Sequence, residues 1–320
     1  MTSGSDSPTL HHTGKNPTTG VLWAMATATA YSMSSVLGKD LLGVLAPSSL
    51  LFWRFGISVL VLWSALAIWR RRGGPDPLDV PRGKALAVGM MFGYMVITGF
   101  FALQHLDASV YIVVVYLYPV LVVVGSSLLG HRVTAGMWLA LAVVMIGVVL
   151  TVPELFGGVG TISGVGIALT LLQAVLMAAF MMVSSHLLPG LDGVVNSGWT
   201  MLGALVAMVP LVVVNGLQAP HGPKRIGEVI LFALVTGVVS TVCFFRAMRH
   251  IAPGVVAMIM TLEVALAILW SVLFLGESVS AVKLVGAGVV MVGVLIAQWA
   301  NLREAKAERE VDPFIADLAV

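Results

Sequence analysis

Ten stretches of this chain are apolar for long enough to cross a lipid bilayer, and this excludes most folds at once. They cover roughly 20–42, 48–69, 84–104, 108–129, 134–152, 163–187, 194–215, 226–248, 253–275 and 280–301. A helix rises 1.5 Å per residue, so about 20 residues span about 30 Å of hydrocarbon. Lipid offers the backbone no hydrogen-bond partner, which leaves helices or a closed barrel. The strand-like alternation of a barrel is absent, so the runs are read as helices. Composition agrees: the chain is 59% hydrophobic and 10% charged, against about 25% charged for a soluble domain, and its mean hydropathy is +1.02.

The second half repeats the first. Phe101-Ala102-Leu103-Gln104-His105-Leu106 matches Arg246-Ala247-Met248-Arg249-His250-Ile251 at an offset of 145 residues. Leu129-Gly130-His131 matches Leu275-Gly276-Glu277, and Gly147-Val148-Val149-Leu150 matches Gly293-Val294-Leu295-Ile296, both at an offset of 146. Five apolar spans lie between His105 and His250. Because five is odd, the copies run in opposite directions through the membrane. The reading is an all-α membrane protein of ten transmembrane helices in two inverted five-helix repeats. Repeat one covers 20–152 and repeat two 163–301; 153–162 is a glycine-rich linker, and polar tails cover 1–19 and 302–320. Repeats of this kind build carriers with a solute site between the halves at mid-membrane.

Basic residues set the expected orientation. With the N-terminus inside, eleven fall on the cytoplasmic side (Lys15, Arg70, Arg71, Arg72, Arg82, Lys84, Arg132, Arg249, Arg303, Lys306 and Arg309), against Lys39, Lys224, Arg225 and Lys283 outside. The positive-inside rule then puts both termini in the cytoplasm. Trp23, Trp69, Trp138 and Trp299 fall near the inner boundary, as an aromatic belt does. The net charge of +2 reports topology and implies no nucleic-acid partner. The tail before residue 20 lacks the basic start of a secretory signal. A single cysteine, Cys243, gives no disulfide framework and no metal cluster.

Polar side chains within the spans are the candidate site residues. Glu263 lies about ten residues into helix nine, or about 15 Å deep. A carboxylate there costs about 2.5–3.5 kcal/mol on insertion scales, so it faces a cavity or a partner. The alternative is a protonated packing residue. Arg54, about six residues into helix two, either lines the cavity or snorkels outward. Lys39 and Arg246 lie within a turn or two of helix ends, where long stems reach the interface. Tyr94, Tyr111, Tyr118 and Gln173 fit a wet cavity, and interhelical hydrogen bonding fits them equally well. Tyr111 and Tyr118 are seven apart and share a helix face; Tyr116 points elsewhere on that reading. Pro119 interrupts helix four and frees a carbonyl. Gly89 and Gly93 form a small-residue packing face, and His105, His131, His186 and His250 fall at helix ends.

Three segments carry a family resemblance: Ala102–Asp107 leading to Tyr118-Pro119, Ala247–Pro253 leading to Glu263, and Leu275-Gly276-Glu277 followed by Gly286 and Gly293. Each repeat resembles the third-to-fifth helix module of the drug/metabolite transporter superfamily, in its ten-helix EamA-type branch of metabolite exporters. The chain departs from that pattern at Val264, where proline is usual after the helix-nine acid. It departs again at His131 in place of glutamate, and at Tyr31-Ser32 in place of Trp-Gly. Helix-one lysines at the Lys39 position are a family feature.

The resemblance implies a secondary transporter of a bacterial inner membrane, exporting small metabolites such as amino acids by alternating access. The residues add that aromatics and few fixed charges suit a zwitterionic or aromatic small-molecule substrate, amino acids included, that the lipid bilayer is the other partner, and that Glu263 is a candidate carrier of a coupling proton. No cofactor is implied. The expected cavity lies between helices one to four and six to nine, with five and ten peripheral. An intramembrane enzyme would need a constellation such as HExxH or Gly-x-Ser-x-Gly, and a nucleotide-driven pump a Walker motif; the sequence has none. A passive channel or facilitator is the competing class.

Overall fold

The computed structural model describes residues 16–106, 108–128, 133–153, 163–188, 190–275 and 279–318. The tail before residue 16, most of the glycine-rich linker, His131, Arg132, Gly276 and Glu277 lie outside them. So does the side chain of Lys39.

Among the described residues the chain is helical, in ten segments: α1 (Pro17–Leu42), α2 (Pro47–Arg71), α3 (Arg82–Leu103), α4 (Ala108–Val115 and Tyr118–Leu128), α5 (Ala135–Leu150), α6 (Gly164–Leu187), α7 (Gly193–Asn215), α8 (Pro223–His250), α9 (Pro253–Met260 and Leu262–Leu275) and α10 (Ala281–Leu318). Eight of them are long and apolar enough to cross a membrane. The other two qualify the count read from the sequence. α5 is apolar but 16 residues long. α1 has 26 residues but is rich in hydroxyls, which lower its hydropathy. Those hydroxyls bond back to their own helix, as Thr27 does to the Trp23 carbonyl at 2.9 Å and Thr29 to that of Met25 at 2.9 Å.

Helix starts follow local chemistry. Pro17, Pro47, Pro223 and Pro253 stand at first-turn positions, where a missing N–H costs nothing. The side chains of Asn16, Thr134, Ser163 and Asp192 accept amide hydrogens from the first turns of α1, α5, α6 and α7.

The packing is symmetric on exchange of each helix with the one five further on. α3 packs on α6 and α7, and α8 packs on α1 and α2; α1 lies against α9 as α6 lies against α4; α2 meets α7, and α5 meets α10. Close contacts repeat the symmetry residue by residue. The face that carries the start of α1 is the near face, and the opposite one the far face. At the near face a Cβ on Gly20 would meet His250 and Ile251; at the far face one on Gly166 would meet His105 and Leu106. Between α5 and α10, Gly147 lies against Val290 and Gly286, while Gly293 lies against Val144 and Ala140. Small residues let these backbones approach in a medium where apolar burial alone drives no association. Gly89 and Gly93 do pack as a small-residue face, against Gly203, Ala204 and Ala207 of α7.

Candidate functional site: a cavity between the two halves

A cavity of about 650 Å³ lies between the repeats. Its walls come from α1 (Tyr31, Ser34), α2 (Arg54), α3 (Phe92, Met95), α4 (Tyr111 to Tyr118), α6 (Gln173, Met177) and α9 (Glu263 to Ser271). Thr151 and Val152 past the end of α5, Val279, and Lys283 on α10 line its far end. α5 and α10 are therefore not wholly peripheral, because their far ends reach the mouth.

Interruptions in two helices shape the site. In α4 the turn at Tyr116-Leu117 precedes Pro119, whose ring removes the amide that would bond Val115. In α9 the turn at Thr261 has no proline, and the amides of Thr261 and Val264 each reach back three residues instead of four. Each break leaves a carbonyl without its helical amide, Val115 in α4 and Ala257 in α9, and irregular backbone within a membrane persists only beside a cavity or within protein.

Arg54 is buried, at 8% exposure. It donates from Nη2 to the Thr236 carbonyl at 2.5 Å, within the π-helical turn Leu234–Val239 of α8. Its guanidinium lies 5.8, 5.6 and 5.8 Å from the ring centres of Tyr31, Phe55 and Phe232. Among the described residues its Nε–H has no partner. Glu263 shares the cavity, and among the described residues no ion pair within 4 Å joins the two. Snorkelling is thus not what Arg54 does; burial among rings and a carbonyl holds it inward.

The structure brings together Glu263, Arg54, Tyr111, Tyr118 and Gln173. It leaves Tyr94 out: that side chain is 48% exposed on the outer surface of α3. Tyr116, set aside on spacing, lines the cavity. Spacing failed there because the broken turn changes the helical phase. Tyr31, Phe92, Met177 and Lys283 were not singled out, and for the apolar ones no sequence signal marks the cavity face. Arg246 stacks on Trp23 at 4.8 Å, so it fastens α8 to α1 instead of reaching free into the interface.

Below the cavity the near half is shut. Phe92 on the cavity wall packs on Phe180, and Phe180 stacks on Phe244 beneath it, with ring centres 5.2 and 5.7 Å apart. Gly254 at the start of α9 meets Val123 of α4, and Arg249 reaches Asp192 at 3.3 Å. The far halves of α4 and α9 stand apart, and the cavity opens between them.

Long apolar helices in two related halves, with a polar cavity between them closed at one face, define a membrane transport protein. The chain belongs to the EamA-like transporter family, whose pattern matches residues 18–152 and again 164–299. An uncharacterized transporter of Bacillus subtilis (strain 168), YcbK, is 24% identical over 273 residues, covering 82% of this chain and 86% of its own. A solved crystal structure, 17% identical, superposes with a TM-score of 0.76 over 89% of this chain and 98% of that one. At that identity the likeness is one of fold.

Proposed function

We propose that the chain is a secondary transporter that moves small zwitterionic metabolites, amino acids foremost, out of a bacterial cell across its inner membrane by alternating access. The observation that carries this reading is the cavity itself: one guanidinium and one carboxylate among tyrosines, between the repeats, open at one face only. The unpartnered Nε–H of Arg54 suits a solute carboxylate, Glu263 suits an ammonium group, and the tyrosine rings suit an apolar side chain. Tyr111, Tyr118 and Gln173 complete the site, and Lys39 is proposed alongside them. The halves 20–152 and 163–301 rock against one another, and Glu263 carries the coupling proton. Closure at the near face argues against an open channel.

Liposomes loaded with unlabelled amino acids should take up labelled ones by saturable counterflow. Flux that never saturates would mark a channel instead.

Both termini are cytoplasmic in this reading, so the cavity opens outward. Added from outside the cell, a membrane-impermeant thiol reagent should label Lys224→Cys and spare Arg72→Cys. The reverse pattern would invert the orientation and leave the fold intact.

A further inference from the structure

The break in α4 at Tyr116 and the break in α9 at Thr261 are separated by the repeat offset of 145 residues. The offset holds without a gap through both helices, matching Val110 with Val255, Leu117 with Leu262, Leu121 with Leu266 and Ser126 with Ser271. Tyr118 and Glu263 are therefore equivalent positions, and so are Ile112 and Ala257.

At the shut near face, the Tyr118 hydroxyl donates to the Ala257 carbonyl at 3.3 Å. That carbonyl is released because the Thr261 amide bonds Met258 instead. At the open far face the equivalent atoms make no such contact: the Tyr116 amide still bonds the Ile112 carbonyl at 3.1 Å, and Ile112 and Glu263 both line the opening. In a carrier of two inverted repeats, the opposite state is reached when each repeat takes up the other's arrangement. This step rests on the alternating-access reading above.

We infer that Glu263 is the latch of the far gate: when that gate shuts, its carboxyl takes the part Tyr118 plays at the near gate and donates to the Ile112 carbonyl. A phenol donates at any physiological pH, whereas a carboxyl donates only when protonated. Far closure thus takes up one proton on Glu263 and far opening releases it, so lower pH favours closure. The near gate, latched by Tyr118, has no such requirement. Sequence alone sets the difference, phenol in one repeat and carboxyl in the other.

Among the described residues, the charged and titratable groups that line the cavity with Glu263 are Tyr31 from α1, Arg54 from α2, Tyr111, Tyr116 and Tyr118 from α4, and Lys283 from α10. α6 presents Gln173, which does not titrate.

Gate reporters follow from the same equivalence. An ideal Cβ on Gly254 lies 3.3 Å from Val123 Cγ2, so Val123→Cys with Gly254→Cys reports near closure. Ser109→Cys with Ile268→Cys, the positions 145 residues earlier and later, reports far closure. Both pairs go into the full chain in liposomes with Cys243→Ala, and the ratio of far to near cross-linking cancels the pH dependence of thiol chemistry.

The ratio should rise as pH falls from about 9 to about 5, by at least fivefold and with a slope of at most about tenfold per pH unit for one proton. Glu263→Gln, whose amide donates at every pH, should give a high and flat ratio; Glu263→Ala should give a low and flat one. A flat ratio without substitution, a pH response surviving in Glu263→Gln, or Glu263→Ala closing as readily as Glu263→Gln would overturn the latch while alternating access stands. A far pair that never cross-links under any condition would overturn the exchange of repeats, and the latch with it.

Discussion

Replacing Arg54 with methionine should abolish transport and destabilise the protein by about 1–3 kcal/mol, the usual cost of leaving a buried polar group without its hydrogen-bond partner. The expectation rests on interactions that methionine cannot reproduce. The Thr236 carbonyl would lose its donor at 2.5 Å, the rings of Tyr31, Phe55 and Phe232 would lose their cation, and the cavity would keep the Glu263 carboxylate without the guanidinium that shares it. Methionine roughly keeps the length and apolar stem, so packing loss alone is small. Adding Glu263→Gln to Arg54→Met should recover none of the transport, because the solute's carboxylate partner stays missing. Thermal melts in detergent and counterflow in liposomes separate the two effects. If Arg54→Met melts and transports like the unmodified protein, Arg54 is neither a site residue nor an anchor.

Gly89→Val should be the more damaging change to folding, although it lies away from any charge. A Cβ at Gly89 would sit 2.7 Å from the Trp199 carbonyl oxygen, 2.8 Å from that of Thr200 and 2.9 Å from Gly203 Cα. All three are backbone atoms of α7, so no side chain can rotate away, and the two helices must separate. Overpacking a tight interior costs roughly 1–3 kcal/mol, and this case lies at or above the top of that range because the whole α3–α7 seam must shift. Gly288→Val on α10 is the control: nothing lies within 4 Å of a Cβ there, and it should behave as the unmodified protein does. Size-exclusion profiles and melts of the two variants test the contrast. Equal behaviour would mean that the α3–α7 seam tolerates separation.

Glu263 and Arg54 were legible in the chain because charge in lipid is costly enough to announce itself. Tyr94 and Tyr116 were not. A membrane helix is apolar all round, so hydropathy does not say which face looks inward, and a tyrosine tolerates both a cavity and an interface. Tyr94 follows Gly93, whose side of α3 packs on α7; one residue turns it about 100° away, and it emerges at the surface. Tyr116 sits at the broken turn of α4, where counting by helical period fails. The shortfall of α1 has a similar origin: its hydroxyls bond their own backbone, so the helix forms where its hydropathy alone falls short.

The amino-acid sequence by itself determined that the chain is helical, that it crosses lipid many times and that it is built twice over, since lipid forbids unpaired backbone and an odd number of spans inverts the second copy. It also placed a phenol in one repeat where the other has a carboxyl. Only the tertiary structure decided which end of the cavity is closed. The helix packing is symmetric on exchange of each helix with the one five further on, so the repeat by itself does not say at which end α4 and α9 meet. The contacts of Gly254 with Val123 and of Tyr118 with Ala257 break that symmetry, and they exist only once the two halves have met.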